Sequence, residues 1–148
     1  MPFHFSLEAV LRSRRGQERM ERLKLESISS ELAQARARLE DMKESNLVLR
    51  RRLQQDLANT MSGSELQFEA TRAARAAYAY TALRARLADL EVHRIAQLQV
   101  YMKVRQSREA FEIVLKRQLH FYRLEQSRHE QQDLDDLFLM RQGIAPDE

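Results

Sequence analysis

The chain has 148 residues, a net charge of +3 and no cysteine. Charged residues make up 32% of it and aromatics 7%, a mixture that suits long solvated helices and not a thick globular core. The lack of cysteine excludes a disulfide framework and a zinc–thiolate site. No run approaches the ~20 apolar residues of a membrane span. The opening Met1-Pro-Phe-His-Phe-Ser has no basic region followed by an apolar one, as a secretory signal would. A cytoplasmic protein is expected.

Both prolines, Pro2 and Pro146, stand near the ends, and the residues between are mainly Ala, Leu, Arg, Glu and Gln, which lose little rotamer freedom in a helix. A first helix is predicted over about 6–58. Ser6 is its expected cap, Glu8 lies against the N-terminal dipole, and Phe5 can staple onto Val10. From Leu25 the apolar positions step by three and four through Ile28, Leu32, Ala35, Leu39, Met42, Asn46, Leu49 and Leu53, a coiled-coil seam with one polar member, Asn46. Leu7 and Leu11 keep the same phase upstream. Arg14, Glu18 and Glu21 fill the next seam positions, so the helix is expected to be held less firmly around Gly16. Pairs at four-residue spacing, Glu8/Arg12 and Glu18/Arg22, are expected to add about 0.2–0.5 kcal/mol each. Arg50, Arg51 and Arg52 fan around the helix and read as a solvated face.

The segment 59–64, with Asn59, Ser62, Gly63 and Ser64, predicts a turn. A second helix is predicted over about 65–141, with Ser64 and Gln67 as its capping box. Its expected seam runs through Ala70, Ala73, Ala77, Tyr80, Leu83, Leu87, Leu90, Leu98, Tyr101, Val104, Phe111, Leu115 and Tyr122. Arg94 sits in that seam, and the phase slips near Leu98. Gly143 and Pro146 close the helix, leaving a loose tail over 142–148.

The fold expected is therefore all-α: a long antiparallel two-helix coiled coil, or α-hairpin, forming a single domain over 1–148. At 1.5 Å per residue the helices are ~78 Å and ~114 Å long, which makes a rod. A tight fold-back at Ser62-Gly63 sets Leu53 near Thr71, Leu39 near Ala85 with Leu83 and Leu87 flanking it, and Leu7 near Arg117. The second helix outruns the first by roughly 24 residues. Its overhang, from about Gln118, carries Leu119, Phe121, Tyr122, Leu124, Leu134, Leu137, Phe138, Leu139 and Met140 with no first-helix residue to cover them. Bare apolar residues of this kind mark a binding surface.

Nothing in the chain reads as catalytic machinery. There is no Gly-rich phosphate loop and no Ser/His/Asp arrangement at a known spacing. His129 and Asp133, one turn apart, make at most two ligands of a metal site. Asp133, Asp135 and Asp136 point in different directions around a helix. Tyr78, Tyr80, Tyr101 and Tyr122 read as seam or flank residues and not as a base-stacking platform. Two helices sharing one seam enclose no water-excluded cavity, so no enzyme is expected, and no cofactor or metal. Basic residues form no aligned stripe of the kind nucleic acid requires.

Phe5-Ser-Leu-Glu-Ala-Val-Leu-Arg-Ser-Arg near the start and Tyr122-Arg-Leu-Glu-Gln-Ser-Arg-His-Glu-Gln-Gln-Asp-Leu-Asp-Asp near the end resemble the paired end motifs of the flagellar export protein FliJ family. Length, layout and the longer second helix agree with it over essentially the whole chain. The resemblance implies a non-enzymatic component of the flagellar type III export machine, similar in fold to the central stalk of rotary ATPases. It implies a role in flagellum biogenesis, and with it motility and chemotaxis, as an ATPase regulator and export chaperone. The implied partners are the export ATPase hexamer, the cytoplasmic domain of the export gate and substrate chaperones. Contact with the membrane would be peripheral and through those partners.

Carried over by position, Phe5, Leu7, Leu11, Arg12, Arg14, Tyr122, Arg128, Glu130, Gln131, Asp135 and Asp136 would face the ATPase. Ala73, Ala77, Tyr80 and Leu83 would face the gate. Leu7 and Leu11 read equally as seam residues, and Arg128 and Glu130 as a solvated face. A structural coiled-coil scaffold and an injectisome stalk are the alternative readings of the whole chain.

Overall fold

A computed structural model describes residues 2–143 and consists of two helices, α1 (Glu8–Ala58) and α2 (Gly63–Gly143), with no strand among the described residues. The two pack against each other as an all-α hairpin. The tail beyond Gly143, with Pro146, lies outside the described residues.

The hydrogen bonds at the helix starts differ from expectation in instructive ways. In α1 the first α-type bond runs from the Leu11 amide to the Leu7 carbonyl (2.9 Å), and a tighter turn from the Glu8 amide to the Phe5 carbonyl (3.1 Å) precedes it. The helix therefore starts two residues later than predicted. In α2 the capping box is Ser62 with Glu65, not Ser64 with Gln67. The Glu65 amide donates to the Ser62 hydroxyl (3.4 Å), and the Ser62 amide donates to the Glu65 carboxylate (3.1 Å). The Leu66 amide bonds the Ser62 carbonyl at 3.1 Å, which makes Ser62 the cap residue. A charged carboxylate accepts more strongly than an amide oxygen, and the box settles where the acid is. Gly63 becomes the first helical residue, so α2 begins two residues earlier than predicted and continues two residues further, to Gly143.

Every predicted seam position of α1, from Leu7 to Leu53, is buried or half-buried, including the polar ones at Arg14, Glu18, Glu21 and Asn46. The seam of α2 is more regular than its apolar residues suggest. It passes through Ala76, Tyr80, Leu83, Leu87, Leu90, Arg94, Gln97, Tyr101, Val104, Arg108, Phe111, Leu115 and Tyr122, all buried or half-buried. The alternation of three and four holds from Ala76 to Leu115: Gln97 holds the position that Leu98 was expected to take, and Leu98 is exposed. Near the turn, Ala70, Ala73 and Ala77 are exposed while Glu69 and Ala76 are half-buried. Apolar residues alone misplaced the seam because some of its positions are polar and some apolar residues lie off it.

The chain divides into two compact units. The unit of residues 19–102 holds the turn and a small core of Leu32, Ala35 and Leu90, against which Leu83 and Leu87 pack. Leu39 is half-buried one turn further on. Ion pairs on the flanks, Arg36 with Glu91 (2.9 Å) and Arg86 with Glu31 (3.4 Å), tie its two helical segments together.

The other unit joins the residues up to Glu18 with those from Lys103 onward. Phe5 and Leu11 are buried there, and Phe3 stacks on Tyr122 at a tilted angle with centroids 5.3 Å apart. The non-helical residues before α1 thus reach further along α2 than helix lengths predicted. The uncovered part of α2 starts at about Arg123 and not at Gln118, with Leu119 and Tyr122 half-buried.

Gly16 lies inside α1, and a Cβ placed on it meets nothing within 4 Å. Gly16→Ala is expected to stabilise the protein by about 1 kcal/mol, the difference in helix propensity. A raised thermal midpoint in circular dichroism checks it; a lowered one would mean that the glycine marks a distortion.

Candidate partner-binding surface

The site proposed from sequence divides, in the structure, into residues that hold the chain together and residues that face outward. Phe5 and Leu11 are 5% and 3% exposed, so their side chains are consumed by the hairpin end itself. Leu7 is half-buried beside them, and Tyr122 is half-buried under Phe3. Arg14 is half-buried with its guanidinium 5.9 Å from the centre of the Phe111 ring, a cation–π placement. Of the five opening-motif residues assigned to the partner, only Arg12 is exposed, held loosely by Glu8 at 3.6 Å.

Behind these residues stands a cluster that sequence reading missed. Arg108 is 18% exposed in its side chain and contacts three glutamates: Glu18 from α1, Glu112 at 2.7 Å and Glu109 at 3.7 Å. Arg15 reaches the same Glu112 at 3.2 Å. The Arg108 guanidinium is held above its ordinary range, first by its hydrogen bond with Glu18 and then by the charges of Glu18, Glu112 and Glu109, against the opposing effect of burial. Glu18 therefore pairs across the hairpin and not with Arg22, which pairs instead with Glu26 at 3.8 Å. The signal was present in the spacing: Val104 and Phe111 stand seven apart, and the seam position between them is Arg108.

In the unit of residues 19–102 the polar part of the seam is made differently. The Gln97 amide donates to the Glu21 carbonyl (3.1 Å) and to its carboxylate. That bond, followed by one from Lys24, holds the Glu21 carboxyl below its ordinary value. The turn-proximal residues read as gate-facing are mixed. Ala73 and Ala77 are exposed and border a shallow groove of about 140 Å³ that Asn46, Leu49 and Leu53 also line. Tyr80 and Leu83 are half-buried, and Leu83 packs against the small core.

The remaining predicted residues lie on bare helix. Arg128, Glu130, Gln131, Asp135 and Asp136 are exposed, as is every residue from Arg123 to Gly143. Arg128, Gln131 and Asp135, at steps of three and four, share one face. Leu134, Leu137 and Phe138 form an apolar patch at the same kind of spacing and are 66%, 55% and 62% exposed. Glu130 lies one turn before Leu134 on that side of the helix. Such a surface can bind by shape and charge; it carries no enclosed pocket for chemistry. No helix among the described residues is long and apolar enough to cross a membrane.

The two-helix fold, the end motifs and the bare end of α2 agree with one family, and the chain matches the model of the family described as Flagellar FliJ protein over residues 3–145. The chain belongs to the FliJ family. No curated protein and no solved structure matches it significantly. The match covers both end motifs, so the residues carried over from FliJ proteins fall inside the aligned span. Membership makes this a flagellar protein and points to the export apparatus.

Proposed function

We propose that this FliJ-family chain is a stalk of the flagellar export apparatus, which inserts its terminal end into the export ATPase ring and links that ring to the export gate and to substrate chaperones. The observation that carries the reading is the end of α2: residues 123–143 are exposed over their whole length and combine an apolar patch with charges of both signs. A helix end of this composition gains little by standing alone in water and fits a partner with apolar and charged sites of its own. Arg12, Arg128, Glu130, Gln131, Asp135 and Asp136 are the residues free to make direct contacts there. Phe5, Leu11 and Tyr122 would act by holding the end in shape. The gate contact falls to the exposed Ala73 and Ala77 and the neighbouring Tyr80.

The test replaces Arg128, Glu130 and Asp135 together with Ala. None of the three contacts α1, and Ala is the better helix former, so circular dichroism should be unchanged. A stalk acts on a ring only by binding its subunit states unequally. Stimulation of ATP hydrolysis by the purified export ATPase, titrated with added protein, should therefore fall severalfold in the triple variant. Equal stimulation by both would remove these residues from the contact. No stimulation by the wild type would favour a plain scaffold, and response only to an injectisome ATPase would move the chain to that system.

A further inference from the structure

Alongside the seam that faces α1, α2 carries a second one on its opposite side. Tyr78, Thr81, Ala85, Ala88, Val92, Ile95, Gln99 and Met102 follow one another at alternating steps of three and four, and all eight are uncharged and exposed. Tyr78 is 80% exposed, Val92 66% and Ile95 53%. The stripe lies two residues out of step with Ala76, Tyr80, Leu83, Leu87, Leu90, Arg94, Gln97 and Tyr101, which is about 200° around the helix. It therefore lies on the side of α2 away from α1, with Thr81 at the edge of a groove that Lys43 and Leu47 of α1 also line. It spans more than three heptads without a charge in a chain where charged residues are 32% of the whole. An alternation of three and four sustained this long fits a helix in knobs-into-holes packing.

We infer that this stripe binds a second copy of the chain, with the two α2 segments parallel and in register. The flanking charges choose both partner and direction. With Tyr78, Ala85, Val92 and Gln99 at the first core position of each heptad, the residues that flank the stripe on its two sides are Ala77, Arg84, Glu91 and Leu98, and Ala82, Asp89, Ala96 and Lys103. In a parallel dimer each residue of the first set meets the residue five places on in the other copy. Arg84 then meets Asp89 twice, once on each side of the twofold axis, and every other pair has an uncharged member. An antiparallel pairing that overlaps the whole stripe is centred between Asp89 and Glu91, and it brings each of these acids against its own copy. Like charges so placed are repulsive. Parallel register also puts Gln99 against Gln99, where the two amides can bond each other and penalise a slip. The small Ala85 and Ala88 let the helices approach closely, and Glu91 stays engaged with Arg36 of its own chain at 2.9 Å.

The natural chain has no cysteine, so single introduced cysteines report the geometry directly. Val92→Cys should cross-link to its copy under mild oxidation, and Arg86→Cys, off the stripe, should not. A mixture of Ala85→Cys and Ile95→Cys chains, which only the antiparallel arrangement brings together, should give no heterodimer beyond that background. By sedimentation equilibrium the wild type should rise from monomer to dimer mass with concentration. Val92→Glu should remain monomeric with an unchanged helical spectrum, because the position is exposed in the single chain. Arg84→Glu should weaken the dimer about tenfold, and adding Asp89→Arg should restore it. Monomer mass at every concentration would overturn the inference and leave the stripe to a helix of another protein. Cross-linking of Val92→Cys no greater than that of Arg86→Cys, or preferential cross-linking of the Ala85/Ile95 mixture, would overturn the parallel register.

Discussion

Leu32→Asp is expected to destabilise the protein by more than about 4 kcal/mol and to melt most of the helix in residues 19–102. Leu32 is 5% exposed and belongs to the three-residue core with Ala35 and Leu90. The substitution removes apolar burial and sets an unpaired carboxylate among Leu83, Leu87 and Leu90. A two-helix core is only one seam deep, so no second layer of apolar packing can make up for the lost contacts. The comparison is Leu23→Asp on the same helix. Leu23 is 55% exposed, and its change should stay within about 0.5 kcal/mol. Leu39→Asp should fall between the two, because Leu39 is only half-buried. Thermal and urea melts followed at 222 nm measure all three. An unchanged midpoint for Leu32→Asp would mean that the hairpin has a different register.

Arg108→Met should be the next most damaging change, at about 1–3 kcal/mol near neutral pH. That range lies between an exposed ion pair and a buried one that has lost its partner, which suits a guanidinium 18% exposed. The cost comes less from the lost attraction than from what remains: Glu18, Glu112 and Glu109 are left near one another with no central cation. Arg15 still pairs with Glu112 and limits the damage. The pH dependence separates this account from simple loss of packing. Without Arg108, the ionised Glu18, Glu109 and Glu112 repel one another in the fold, and protonating carboxylates at acid pH removes that repulsion, so the deficit shrinks as pH falls. In the wild type Arg108 stays charged throughout, so its own ionisation adds no slope in this window. Wild type and variant should converge on acidification. A gap that stays constant from neutral pH to pH 4 would mean that the side chain matters for its packing and not for its charge.

Much of the fold follows from local rules that can be read along the chain. Steps of three and four place α1 and its whole seam, because a helix returns to the same side every 3.6 residues whatever it packs against. The break at 59–62 follows from residues that favour turns over helix interiors. The bare end of α2 follows from length alone, since one helix outruns the other. The end motifs likewise carry the family, because they need only the order of residues.

What the tertiary structure decided is which side chains meet. Glu18 has a cation one turn away at Arg22, yet pairs with Arg108, 90 residues distant, because packing of the helices places that guanidinium where water cannot fully screen it. Gln97, not the neighbouring leucine, takes a seam position, and there its amide donates to the Glu21 carbonyl and carboxylate across the hairpin. The division of the opening motif into buried Phe5 and Leu11 and exposed Arg12 depends on residues before α1 folding back onto α2, where Phe3 finds Tyr122. Periodicity gives the side of a helix on which a residue lies. The stagger between two helices, set by all their contacts together, determines what it touches.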